Sequence, residues 1–194
     1  MPRAGLAPAT VVAAGAALAD EVGLAHLTMN LLARRIGVRP PSLYKHVESL
    51  QSLYRGIALQ GKRELREALT RATAGQTGGT AVHAFAAAYR RWVLEHPGRY
   101  AATVRAPAAH DEEDRRSSEE GLRVLLDVLA DFPLHDGHAI HATRTLRSAL
   151  HGFASLESAG GFGLAEDVDR SFRFLVDTLV TVLQTDRPDR GGPA

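Results

Sequence analysis

Apolar residues recur along this chain every three or four positions, and no segment alternates apolar with polar side chains as a half-buried strand would. That period confines the chain to helices packed on helices. Alanine and leucine, the strongest helix formers, are also abundant, and 194 residues are enough to bury a sizeable core. The expected fold is all-α: a three-helix head followed by a helical-bundle body, about nine helices in all.

Glycine and proline mark the divisions. The period sets a first helix from about Pro8 to Val22, with Val11, Gly15, Leu18 and Val22 on one stripe, and Gly23 ends it. Thr28 caps a short second helix, Met29 to about Arg35, which Gly37 closes. A third opens on Pro40 and Pro41, where the missing N–H groups had no intrahelical partner to lose. Ser49 caps a fourth helix to about Arg71. Residues 72–80, rich in glycine and threonine, read as a linker. Beyond it Val82, Phe85, Ala86, Tyr89, Trp92 and Val93 form one stripe, and His96-Pro97-Gly98 ends that helix and opens a short one through Val104. The acidic run Asp111–Asp114 complements the dipole of a helix carrying Leu122, Leu125, Leu126, Leu129 and Phe132. Two long helices, near Asp136–Glu157 and Ala165–Gln184, close the chain.

The stretch LARRIGVRPPSLYKHV, residues 32–47, stops one helix and restarts another within a few residues. Two short helices joined by a glycine turn make a helix-turn-helix. Ala33 is small where the helices touch, Gly37 supplies the turn, and Ile36, Val38 and Leu43 face inward. The second helix then presents Arg39, Pro40, Ser42, Tyr44, Lys45 and His46 outward. An α-helix fits the DNA major groove with its N-terminal residues at the base edges. Arg39 suits guanine, Ser42 several base edges and Pro40 a thymine methyl, while Thr28, Tyr44, Lys45 and His46 suit phosphate oxygens. The charge distribution agrees: residues 1–73 hold 10 Lys/Arg against 5 Asp/Glu, and residues 74–194 hold 13 against 17. A basic head of this kind meets a polyanion.

Residues 27–59 resemble the N-terminal domain of the TetR family of bacterial transcriptional regulators, with "LARRIGV", then "SLYKHV", then the start of a long helix in the family's order and spacing. A weaker likeness covers residues 80–183, where His96-Pro97-Gly98 and Leu150-His151-Gly152-Phe153, followed by Gly161-Phe162-Gly163, resemble one subgroup's C-terminal domain. The resemblance implies a homodimer whose two heads enter successive major grooves of a palindromic operator on double-stranded DNA. It also implies a small-molecule effector that enters the C-terminal body and releases the DNA, and so a cytoplasmic repressor. Thr28, Arg39, Pro40, Ser42, Tyr44, Lys45 and His46 align with the family's DNA-contacting motif. One position departs: Leu50, with Glu48 nearby, stands where the family often has a lysine, which removes a phosphate contact and lowers the expected salt dependence. The division that follows is residues 1–71 for DNA binding, 72–80 as linker and 81–194 for ligand binding and dimerisation.

In the body, Phe85, Tyr89 and Trp92 on one helix and Arg144, Arg147 and His151 on another are the expected lining of an effector cleft. Arg144 and Arg147 have an alternative place at a dimer interface, facing Glu157 or Asp177. The last helix is apolar over a wider face than one packing partner needs, so Phe172, Leu175, Leu179 and Leu183, with Phe153, are expected at the dimer interface. His135, His138 and His141 suggest a metal site and hence the rival reading, a helical metal-dependent enzyme. Helical spacing swings the third imidazole away from the first, so a polar lining is preferred and no metal, cofactor or catalytic residue is expected. Arg3, the alanine-rich run and Ala17-Leu18-Ala19 imitate a secretory leader, but alanine is weakly hydrophobic and the segment fits the first helix. No stretch approaches the ~18 apolar residues of a membrane span. The absence of cysteine is compatible with a reducing cytoplasm.

Overall fold

The computed structural model describes residues 6–104, 107–134 and 137–185. Among them there is no strand, and the fold is all-α. Nine α-helices are described: α1 Pro8–Val22, α2 Met29–Ile36, α3 Pro40–Leu43, α4 Leu50–Thr73, α5 Gly78–Glu95, α6 Pro97–Thr103, α7 Glu112–Leu129, α8 His138–Ser158 and α9 Val168–Gln184. Two compact units share them. One takes the chain through Arg66 together with Glu95–Gly121, and the other takes Glu67–Leu94 and the chain from Leu122 on.

In the first unit, α1, α2, α3 and the start of α4 enclose a core built from Val11, Leu18, Leu27, Leu32, Leu43, Leu53 and Ile57. Val22, expected on the inward stripe of α1, is exposed, and Ala16 and Ala19 are buried instead. Thr28 caps α2 by accepting a hydrogen bond from the Leu31 N–H at 3.1 Å. Ser49 and Ser52 cap α4 reciprocally, each hydroxyl accepting from the other's backbone N–H, at 3.0 and 3.2 Å. α6 lies along α1: the Arg99 N–H donates to Asp20 Oδ1 at 2.8 Å, and the Arg99 guanidinium pairs with Asp20 at 3.0 Å and Glu64 at 2.9 Å.

The second unit draws its buried side chains from α5 (Val82, Phe85, Tyr89, Trp92, Val93), α7 (Leu125, Val128, Leu129), α8 (Leu146, Leu150, Ala154) and α9 (Phe172, Val176, Leu183). The α7 stripe is rotated from expectation: Leu122 and Leu126 are exposed, and Val128 is buried. Three helix ends also differ. Only residues 74–77 lie outside helices in the expected linker, because the Asp131 carboxylate accepts from the Gly78 N–H at 2.8 Å and lets α5 start there. α8 starts at His138, with Gly137 in its cap position. α9 starts at Val168 because Asp167 caps it, accepting from the N–H groups of Asp169 and Arg170 at 2.7 and 3.2 Å.

Candidate nucleic-acid interface

The turn between α2 and α3 is built by backbone geometry. Gly37 is left-handed (φ 72°), and the Val38 N–H reaches back to the Ala33 carbonyl at 3.0 Å, which closes α2 and redirects the chain. Arg39 then caps α3. The regular part of α3 is only four residues, and Tyr44–His46 continue it as a turn held by His46 and Val47 N–H bonds to the Leu43 carbonyl, at 2.8 and 2.9 Å. The expected second helix is thus shorter than a regular recognition helix. Two prolines remove donors from its first turn, and Leu43 and Val47, both buried, anchor its ends. Ile36 and Val38 are half-buried against the same core. The 24–27 segment is fixed from behind, with the Tyr54 hydroxyl 3.0 and 3.1 Å from the carbonyls of Leu24 and Leu27.

All seven expected contact residues come to one small unit. Thr28, Arg39, Tyr44 and Lys45 are exposed, and Pro40, Ser42 and His46 are half-buried. Among the described residues, the side chains of Arg39, Ser42, Tyr44, Lys45 and His46 make no hydrogen bond or ion pair with the protein. Four other cations of the head are spent. Arg35 pairs with Glu21, Arg55 with Asp111 at 2.5 Å and Glu113 at 2.7 Å, and Arg66 with Glu120. Lys62 donates to Asp114 at 2.5 Å and to the Ser118 hydroxyl at 2.9 Å, with both charged side chains about nine-tenths buried. The net positive charge of the head, read from sequence as one property, is therefore divided. Arg55, Lys62 and Arg66 of α4 go to α7 and its cap, and the α3 turn keeps its own cations.

The acidic run has both duties. Asp111 caps α7 by accepting from the Asp114 N–H at 3.1 Å, as expected of a helix start, and it also holds Arg55. The Arg55 guanidinium first, and the Asp114 N–H second, lower the Asp111 carboxyl to about 2. Its folded value lies below the ordinary 3.8, so its contribution to stability is present above that value and is lost as pH falls through about 2. Asp111→Asn is expected to unfold at a lower temperature than the parent at neutral pH, with the difference closing across that acid window. A pH series of thermal unfolding midpoints checks this; a difference unchanged at the acid end would remove the charge from the account.

A family model described as "Tetracyclin repressor-like, C-terminal domain" matches residues 82–179. The HTH-type transcriptional regulator YobS of Bacillus subtilis is 32% identical over 183 residues, covering 94% of this chain and 95% of that one. The chain belongs to the TetR family. It is a helix-turn-helix transcriptional regulator, in line with the resemblance carried by residues 27–59. A second relative, the HTH-type transcriptional regulator Rv0681 of Mycobacterium tuberculosis, is 36% identical over 151 residues, 77% of this chain and 68% of its own. Among solved structures, a protein from Rhodococcus sp. RHA1 superposes with TM-score 0.79 at 23% identity, covering 95% of this chain and 100% of that one. A TetR variant of Acinetobacter baumannii AYE in complex with minocycline superposes with TM-score 0.66 at 23% identity, covering 91% and 96%.

In the body of this TetR-family chain, the expected effector residues do not share one cleft. Phe85, Tyr89 and Trp92 are buried in the core, with Phe85 and Tyr89 stacked at 6.4 Å. Arg144 and Arg147 are exposed, and His151 is half-buried, 3.3 Å from the Ser155 hydroxyl. None of the six lines the cavity of about 340 Å³ that opens between α8 and α9. The carboxylates suggested as partners for Arg144 and Arg147 are taken: Glu157 by Arg90 at 2.5 Å and Asp177 by His83 at 3.1 Å.

The expected dimer residues are divided as well. Phe172 and Leu183 are buried within their own unit, and Leu175 and Leu179 are half-buried. Phe153 packs on Phe162 and Phe172, with ring centroids 4.8 and 5.1 Å away. Arg90 sits over the Phe172 and Phe153 rings at 4.8 and 5.7 Å and also binds Asp169. Its bond to Glu157 first, then that to Asp169, raises its pKa further. What α9 leaves outward is a different edge, Ser171, Phe174, Thr178, Thr181 and Val182, which carries no charge. Sequence reasoning missed this edge because a helix with apolar residues over most of its circumference does not declare which side is inward. Among the described residues, no group of three or more His, Cys, Asp or Glu could hold a metal, and His135 of the suggested cluster lies outside them. No described helix is long and apolar enough to cross a membrane.

Proposed function

We propose that this regulator is a cytoplasmic repressor that binds a palindromic operator as a homodimer and is released by a small-molecule effector. In this reading residues 1–71 read the DNA, and residues 81–194 bind the effector and dimerise. The observation that carries it is the division of charge. The donors of the α3 turn are held on a buried apolar core with no partner among the described residues, while Arg55 and Lys62 of α4 are neutralised. Arg39 and Ser42 stand at the start of α3; in this reading they meet base edges, and Thr28, Tyr44, Lys45 and His46 meet phosphate oxygens. Linkage supplies the switch: DNA and effector favour different arrangements of the protein, so each weakens the other's binding by the same factor. The effector chemistry of the Acinetobacter TetR, whose complex holds minocycline, supports the presence of a ligand and leaves its identity here to the lining of this chain's own body.

Selection of tight-binding fragments from random duplex DNA, at two salt concentrations, tests the reading. Half-sites about 10 base pairs apart, or a multiple of that, with affinity falling steeply in salt, are expected of a dimeric reader. No enrichment at either salt would overturn it.

In this reading the dimer forms on the uncharged edge of α9, where Phe174 is 75% exposed. A monomer has no reason to hold so large an apolar side chain in water beside a strip of threonines, whereas a second copy would bury it. Phe174→Glu is expected to give monomers in sedimentation while leaving the unfolding midpoint of the chain nearly unchanged; an intact dimer would remove this edge from the interface.

A further inference from the structure

The cavity between α8 and α9 has a lining of two kinds. Pro133, Leu134, Leu146, Leu179, Val182 and Leu183 are apolar, and His138, His141 and Thr145 bring hydrogen-bonding groups from one edge of α8. Those three positions are spaced three and four residues apart, so they fall on one stripe of the helix, opposite the leucines and valine of α9. Among the described residues none of the three side chains makes a hydrogen bond to the protein. Among the described residues, no Lys, Arg, Asp or Glu lines the cavity. Its volume of about 340 Å³ lies at the small end of the range for ligand sites.

We propose that this cavity binds a small uncharged amphiphile, a hydrocarbon body carrying a hydroxyl or carbonyl oxygen that the α8 histidines and Thr145 engage. The hydrocarbon would cover Leu179 and Leu183, and the oxygen would take up donors and acceptors that the fold leaves open. A full charge is disfavoured, since burying one here would leave it without an opposite charge among the described lining residues. The proposal deepens the effector reading above and rests on it only for the consequence of binding on DNA, because the site itself is argued from its lining.

Octanol and octanoate, titrated into the full chain at about pH 8, where imidazole is ordinarily neutral, are the probes for calorimetry. Saturable binding of octanol is expected, with octanoate about tenfold weaker or more, from the cost of an unpaired charge. Thr145→Phe, at an exposed position on the rim, should abolish that binding while circular dichroism and the unfolding midpoint stay unchanged. His141→Leu should weaken octanol by about threefold to tenfold, the worth of one hydrogen bond. No saturable binding, octanoate binding as tightly as octanol, or binding indifferent to Thr145→Phe would each overturn the proposal. So would a second copy seated in the cavity, seen as no octanol binding together with a changed dimer dissociation in Thr145→Phe. Octanol that binds as expected but leaves operator affinity unchanged confirms the site and removes the effector reading instead.

Discussion

Gly98→Ala should be among the most damaging single-methyl changes in this chain, costing about 3 kcal/mol or more as α6 is forced away from α1. A Cβ at Gly98 would lie 2.1 Å from the carbonyl carbon and oxygen of Ala19 and 2.5 Å from the Asp20 nitrogen. Those are backbone atoms inside a helix, so no side-chain rotation can relieve the clash. α6 would have to retreat, and the Asp20 bonds to the Arg99 N–H and guanidinium would lengthen with it. Two other glycines calibrate the effect. At Gly61 the added methyl meets Thr103 Cγ2 at 2.9 Å and the Arg99 carbonyl at 3.3 Å, a contact that a side chain can partly yield, so about 1 kcal/mol is expected. At Gly121, within α7, nothing lies within 4 Å, and alanine should stabilise by up to about 1 kcal/mol through helix propensity. Denaturant unfolding of the three variants gives the ranking directly. Equal effects at Gly98 and Gly121 would mean that α6 does not press on α1 in solution.

That glycine also shows where a sequence stops being informative. His96-Pro97-Gly98 announced a helix boundary correctly, because proline and glycine act locally. It did not announce the close approach to Ala19, which lies far away along the chain. The head was legible for the same local reason: Thr28, Gly37, Pro40 and Ser49 each impose a cap or a turn on their own neighbours, and all four do so here. The body was less so. Its helices were found from their period, but the inward side of α7 and α9 was misjudged where apolar residues occupy more than one face, as at Leu122 and Phe172. The sequence does carry a signal for the α4–α7 pairing: Arg55, Lys62 and Arg66 stand seven and four residues apart on one face of α4, and carboxylates recur through the first turns of α7. The effector side of the body depends on which side chains meet across helices, and aromatics such as Phe85 and Trp92 serve a core as readily as a cleft.

Ser42→Ala and Tyr44→Ala are expected to lose operator affinity by about tenfold to a hundredfold each, from the loss of a base or phosphate contact. Their folding should not follow. Tyr44 is 52% exposed and neither side chain bonds to the described residues, so each change should stay within about 0.5 kcal/mol of the parent in stability. Leu43→Ala, one position from each, is the necessary contrast: Leu43 is fully buried between the helices, and its truncation should cost about 2–4 kcal/mol. The three variants separate reading from folding within three consecutive residues. The salt dependence separates them further. Tyr44→Ala removes a neutral phosphate donor and should leave the slope of affinity against salt unchanged, whereas Lys45→Ala should lower it by about one counterion. Should Ser42→Ala and Tyr44→Ala bind operator as tightly as the parent, the outward edge of α3 is not the reading surface. Should they instead unfold with Leu43→Ala, the two side chains belong to the core of the head and the assignment of contacts falls.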